Sequence, residues 1–333
     1  MNIREVAKKA GVSTATVSRV VNGTVPVSAL VERQVRSAIK SLGYYPNTHA
    51  RTLGSGRSHM YGLIISDIAN PFFPDIVKFF ERIAVEHGQE VLIANTDYQP
   101  QRMQVCVRRM LERRVDGVAI MTSEMDPKLV QLLNKRGIPI VFLDTGHVGP
   151  NISNVLIDYV SGIEQAIEHL ISFGHQRIAF VSGPPTLASA RTRSNAFALS
   201  IKRKGLNFRA DYMQIGNHRI DGGQSAMAKL LRLRQPPTAV MASNDLTAIG
   251  MMREIRAAGL QVPGDISVLG FDDIEISNFL QPPLTTIRVP RAEIGVSAFN
   301  ALYAANRRRG NAGTEHRIST ELVIRESTGL VKS

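Results

Sequence analysis

Over the first sixty residues the apolar positions recur at helical spacing. Ile3, Val6, Ala7 and Ala10 stand three or four apart and Gly11 follows, which predicts a short helix closed by a glycine that can turn left-handed. Ser13 offers a side-chain cap to a second helix, Thr14 to Val21, with Val17, Val20 and Val21 on its buried side and Asn22-Gly23 at its close. Val27-Ser28 opens a third helix to Leu42, with Leu30, Val31, Val35, Ala38, Ile39 and Leu42 as its apolar stripe. Two short helices joined by a tight turn and backed by a third make a helix-turn-helix. In such a motif the second helix enters the DNA major groove.

From Tyr61 the period changes. Short runs rich in Val, Ile and Leu (YGLIIS, EVLIANT, GVAIM, PIVFLD, NVLID, RIAFVSG, AVMAS, ISVLGFDD) alternate with amphipathic segments such as Phe73–His87, Arg102–Arg113, Ser161–Phe173, Ala190–Lys204 and Leu246–Ala258. Near-continuous apolar strands alternating with helices predict parallel, doubly wound sheets, and the alternation is too long for one sheet. An α/β body of two subdomains is therefore expected, although no break in composition marks their border.

Charge sharpens the first module. Residues 1–59 carry nine Lys and Arg against Glu5 and Glu32, a net of +7 out of +12 for the 333-residue chain. A basic module on a milder body fits a polyanion partner, since phosphate contacts supply much of the affinity of DNA binders. On the second helix Thr14, Ala15, Ser18 and Arg19 lie off the valine stripe. Arg19 can pair bidentately with guanine, and Thr14 and Ala15 can meet thymine methyls. Ser13, Thr16, Ser18, Asn22 and Ser28 suit phosphate oxygens, which set register without reading sequence.

In open α/β sheets ligands bind beyond the carboxyl ends of the strands. The polar residues there are Asp67 and Asn70, Asp158, Arg193, Asn244-Asp245 and Asp272-Asp273. Carboxylates, an amide and a guanidinium converging on one cavity suit a polyhydroxylated ligand, with Phe72, Phe73 and His218 as an apolar face. Asp67 and Asp245 stand at helix starts and are equally well placed to cap them.

The segment IREVAKKAGVSTATVSRVVNG with LGYYPNTHARTL resembles the headpiece of the LacI/GalR regulators almost position for position. The resemblance continues through SDIANPFF, HLISFGHQRIAFVSGP, PTAVMASND, GLQVPGDISVLGFDD and PPLTTIRVP, and so spans essentially the whole chain. It implies a sequence-specific transcriptional regulator, a repressor by expectation, with a periplasmic-binding-protein-like body of two Rossmann-like subdomains. The implied divisions are a headpiece over 1–46, a hinge over 47–59 and an effector-binding and dimerisation domain over 60–333. Within the last, the N-subdomain takes about 60–157 and 289–317, and the C-subdomain about 158–285 and 318–330. By the same resemblance Thr14, Ala15 and Arg19 are base readers. Asn47, Ala50, Arg51 and Leu53 lie in a hinge helix that orders on DNA, with Leu53 wedged into the minor groove. Arg193, Asn244 and Asp272, with Phe72 and Phe73, fall on effector positions. The expected partners are a near-palindromic operator, a second copy of the chain, and a sugar or sugar derivative; a purine-type ligand or a partner protein is the alternative.

Other classes recede. No G-x-S-x-G, Walker A, H-E-x-x-H or C-x-x-C motif occurs, so an enzyme, a cofactor or a bound metal is not expected. No run approaches membrane-spanning length, and MNIREVAKKAG lacks the apolar core of a secretory signal. With Cys106 as the lone cysteine, a cytoplasmic location is expected.

Overall fold

A computed structural model describes residues 2–22, 25–45, 57–122, 125–144, 148–307 and 312–332. The chain divides into two compact units: Met1–His59 with Arg113–Asp116, and the remainder.

The first unit is built on three helices, α1 (Ile3–Ala10), α2 (Thr14–Asn22) and α3 (Ala29–Leu42). Asn2 and Glu5 form a reciprocal cap on α1, and Gly11 ends it at φ 65°, a conformation that costs a glycine nothing. The Ser13 hydroxyl accepts from Thr16 N at 3.1 Å at the start of α2, and Ser28 caps α3 through Val31 N. Val6, Ala7, Ala10, Val17, Val20, Val35 and Ala38 make the core, with Val31, Ile39 and Leu42 packed against it. Leu30, expected on the α3 stripe, instead is 60% exposed. It stands in the first turn, one position before the face that Val31 and Val35 turn inward.

The second unit holds two six-stranded sheets. The first contains β1 (Met60–Ile65), β2 (Glu90–Asn95), β3 (Gly117–Met121), β4 (Ile140–Leu143), β5 (Ile152–Ile157) and β11 (Glu315–Ile318), in the order β11-β5-β4-β3-β1-β2. The second contains β6 (Ile178–Ser182), β7 (Met213–Ile215), β8 (Ala239–Ala242), β9 (Ser267–Asp272), β10 (Thr285–Arg288) and β12 (Glu321–Val323), in the order β12-β10-β9-β8-β6-β7. Every described pairing between these strands is parallel except β10 with β12. Central strands such as β3, β6 and β9 are buried along their whole length, which is why they read as unbroken apolar runs.

Helices α4 (Phe72–Glu86), α5 (Pro100–Glu112) and α6 (Pro127–Lys135) connect strands of the first sheet. Helix α7 (Tyr159–Ser172) crosses from the first sheet to the second, helices α8 (Ala188–Arg203), α9 (Ile220–Leu231) and α10 (Asp245–Ala257) connect strands of the second, and α11 (Arg291–Arg307) returns to pack on α4. The chain thus passes between sheets after β5, after β10 and again between β11 and β12. Close approach fixes the α9–α10 pair: a Cβ on Gly250 would fall 1.9 Å from the Ile220 carbonyl oxygen. Four elements went unread in the chain: β7, β10, β11 and α11. The strands have only three or four residues, and α11 buries Ile294, Ala298, Phe299 and Leu302 amid alanines and exposed polar positions that blur its stripe.

Candidate functional site

The first unit presents α2. Val17 and Val20 anchor it in the core, so geometry turns Thr14, Ala15 and Arg19 outward, and all three are exposed. Arg19 has no ion pair among the described residues, which leaves its five N–H donors for an external acceptor. Thr16 is half-buried, its hydroxyl 2.9 Å from that of Ser13, and Ser18 is half-buried as well. Ser28 is exposed but already caps α3. The side chain of Asn22, and Asn47, Ala50, Arg51 and Leu53 of the expected hinge helix, lie outside the described residues.

The second unit holds a narrow, partly open cavity of about 70 Å³ between its two sheets. Asn70, Phe72, Phe73, Arg193, His218, Asn244 and Asp272 all line it. Most come from segments that follow the carboxyl ends of strands in both sheets, and Arg193 comes from the second turn of a helix. Asn70 folds its Oδ1 back onto Phe72 N at 3.1 Å, starting α4 so that Phe72 and Phe73 enter the wall edge to face, 5.3 Å apart.

Arg193 reaches in from the buried face of α8. Its Nε donates to Ser189 O at 3.2 Å and its Nη1 to Ser243 O, while its carbon lies 5.1 Å from the Tyr159 ring centre and 5.2 Å from that of Phe271. The Nη2 group has no partner among the described residues and remains for a ligand. Asn244 caps α10 by accepting from Thr247 N at 3.0 Å, and its amide donates to the His218 carbonyl at 3.0 Å. His218 sets Nδ1 3.2 Å from Ser243 Oγ; burial and then the Arg193 charge push its imidazole well down, so it is neutral.

Asp272 is the most constrained member. It is buried, sits at φ 113°, and its carboxylate accepts no hydrogen bond from a described residue. Burial holds its carboxyl well above the usual range against the pull of Arg193. A strained backbone that aims an unpaired carboxylate at a cavity is the arrangement seen where ligands are clamped.

Asp158 does not line the cavity. It is exposed and caps α7, accepting from Ser161 N at 3.1 Å, because its backbone sits one step past the end of β5 and turns the side chain along the helix. Tyr159, the next residue, enters instead and donates its hydroxyl to Asp144 at the end of β4. The other Asp144 oxygen accepts from Ile157 N at 2.7 Å, and burial pushes this carboxyl up to about 6. Asp144 and Tyr159 were missed, yet Asp144 ends the apolar run PIVFLD just as Asp272 ends ISVLGFD.

The remaining strand-end carboxylates are structural. Asp245 is fully buried and accepts from Ile274 N at 2.9 Å, Ser277 Oγ at 2.7 Å and Thr286 Oγ1 at 2.5 Å, tying α10 to β10. Asp273 pairs with Arg288 at 2.7 Å and Arg325 at 2.6 Å. Asp67 accepts from Ala69 N and, across the cleft, from Arg219 at 3.1 Å; Arg219 also holds Asp97 at 2.8 Å. Among the described residues no cluster of metal-ligating side chains occurs.

Comparison with known proteins matches both units. Residues 58–326 match the family described as periplasmic binding proteins and sugar binding domain of the LacI family, and residues 2–47 match the bacterial regulatory proteins of the lacI family. The ribose operon repressor of Escherichia coli K12 is 36% identical over 301 residues, 90% of this chain and 91% of that protein. The transcriptional repressor PurR of Histophilus somni is 35% identical over 329 residues, 98% of each. Among solved structures, the lac repressor dimer bound to operator and the anti-inducer ONPF superposes with a TM-score of 0.88 at 30% identity over 99% of both chains. A complex of the regulator CelR with cellobiose gives 0.74 at 28% identity over 98% of this chain and 99% of that one.

Proposed function

The chain belongs to the LacI family of bacterial regulatory proteins, and from that premise we propose the following division of labour. Two copies bind a near-palindromic operator through α2, and a small effector seated between the sheets of the second unit sets the operator affinity. Arg19, Thr14 and Ala15 read bases, and Ser13, Thr16, Ser18 and Ser28 meet phosphates. Asn70, Phe72 and Phe73 on one side and Arg193, His218, Asn244 and Asp272 on the other hold a sugar or sugar derivative. The protein is a repressor, as its relatives are named, and it acts in the cytoplasm as a receptor rather than a catalyst.

One observation carries the effector reading: Asp272, buried at φ 113° with a carboxyl that accepts no hydrogen bond from a described residue, lines one cavity together with Arg193, Phe72 and Phe73. A ligand touching both walls favours one relative orientation of the two sheets. The first sheet carries the chain's connection to the DNA-binding unit, so ligand and operator are thermodynamically linked, typically by about 1–3 kcal/mol.

Reciprocity supplies the test. Operator binding is measured by fluorescence anisotropy with and without a ligand found by thermal shift, and ligand binding is measured with and without operator. The two factors must agree. An operator affinity indifferent to every ligand that binds the cavity would overturn the coupling.

A further inference from the structure

Building on the effector reading, we infer that the cavity selects an uncharged polyhydroxylated ligand and rejects its phosphate ester. Asp144 acts as the rejecting charge in a wall whose burial already disfavours a second anion at Asp272, and the Thr122 hydroxyl is a further ligand contact.

The charge inventory of the wall is lopsided. Two carboxyl groups line it, and Arg193 is the one permanent cation among the described lining residues. Two of that arginine's nitrogens already donate to the carbonyls of Ser189 and Ser243. His218 is neutral, since burial and the nearby guanidinium both disfavour its charged form. The neighbouring cations are spent: Arg219 is held by Asp67 and Asp97, and Arg291 by Asp75 and the carbonyls of Asp272 and Asp273. A phosphate brought into this space would meet the Asp144 carboxylate and a buried site where even the Asp272 carboxyl is pushed toward its neutral form, with a single free guanidinium edge to offset them. A desolvated like-charge contact of that kind is strongly unfavourable.

The polar groups left over suit hydroxyls. Asp272 can accept from two neighbouring hydroxyls, and the Nη2 group of Arg193 can donate to a third oxygen. Asp144 is less available, because Ile157 N and Tyr159 Oη already take one acceptor site on each of its oxygens; it contributes chiefly a fixed negative charge. Thr122 follows β3 on the opposite side. Its residue is 4% exposed, it lines the cavity, and its buried Oγ1 has no hydrogen-bond partner among the described residues. An orphaned buried hydroxyl calls for a partner, and a ligand hydroxyl supplies both a donor and an acceptor.

Calorimetry on the full-length protein decides the matter, with matched pairs of probes: D-ribose and D-ribose 5-phosphate, D-glucose and D-glucose 6-phosphate, D-galactose and D-galactose 1-phosphate, plus hypoxanthine. We expect at least one free sugar to bind, with its phosphate at least about a hundredfold weaker. Asp144→Asn should narrow that gap about tenfold, and Thr122→Val should weaken the free sugar about tenfold while Thr122→Ser keeps it. Far-ultraviolet circular dichroism on each variant verifies folding. A phosphate binding as tightly as its free sugar, or hypoxanthine binding in preference to all sugars, sinks the charge selection but leaves the effector reading standing. Binding of none of the probes by a protein that still binds operator removes both. Wild-type affinity in Thr122→Val removes Thr122 from the contacts.

Discussion

Helix α2 and the cavity of the second unit are the two recognition surfaces we propose in one chain, and they are prepared in opposite ways. On α2 the proposed reading side chains stand exposed and Arg19 has no ion pair among the described residues, so water and counterions occupy the groups until DNA displaces them. In the cavity, burial has been met in advance: Arg193 is held by two carbonyls and two aromatic faces, and Asn244 by three hydrogen bonds. A polyanion brings its own compensation through counterion release, so its reader can remain solvated. A small neutral ligand brings little, so its site must already be built.

The contrast can be broken at four points. The largest effect is expected at Arg19→Ala. Losing a bidentate base contact costs about 1–3 kcal/mol in each half-site, twice that for a dimer on its operator, and relaxes preference at one base position. Selection from random DNA checks this, and an unaltered sequence preference would remove Arg19 from the readers. Arg193→Ala comes next. It should weaken effector binding by roughly a hundredfold through loss of charged hydrogen bonds, yet leave ligand-free operator affinity near wild type. A parallel fall in both affinities would mean that the cavity and the DNA-binding unit are not separable.

The third point is pH. The carboxyl of Asp144 is raised to about 6 by burial, so between about 4 and 6 the folded protein binds a proton that the unfolded chain has released. Stability is therefore lost as pH rises through that window, by up to about 3 kcal/mol less whatever cavity water screens. Asp144→Asn should flatten the dependence of the melting midpoint over pH 4 to 6, and an unchanged slope would assign it elsewhere; the buried carboxyl of Asp245, also raised to about 6, sets the residual. The smallest effect is at Arg219, which spans the cleft to Asp67 and Asp97 but is half exposed. Arg219→Ala should change effector dissociation in stopped flow by severalfold at most, and less in high salt, because exposed pairs contribute about 0–1 kcal/mol.

The two surfaces were also unequally legible in the chain. Helices α1 to α3 follow from local rules: apolar spacing, a serine or asparagine at each start, a glycine at the end. The exposure of Arg19 follows in turn from the burial of Val17 and Val20, on the same short helix. The central strands and the position of Asn70, Asn244 and Asp272 just past or at their ends were readable for a similar reason, since fully buried strands write unbroken apolar runs, whereas Arg193 lies inside a helix. What stayed closed was everything set by which sheet a segment joins. β11 and β12 are separated by two residues yet belong to different sheets, a decision made by hydrogen-bond partners more than a hundred and fifty residues away for β11 and thirty-odd for β12. Asp158 and Tyr159 show the same limit at one site. Adjacent in sequence and both able to hydrogen-bond, they part where β5 passes into α7, one turning along the helix as its cap and the other into the cavity toward Asp144. Local spacing specifies a helix and its outward face because its contacts lie within a few residues. Which of two neighbouring side chains meets a ligand depends on where distant strands end, and only the packed molecule brings those ends together.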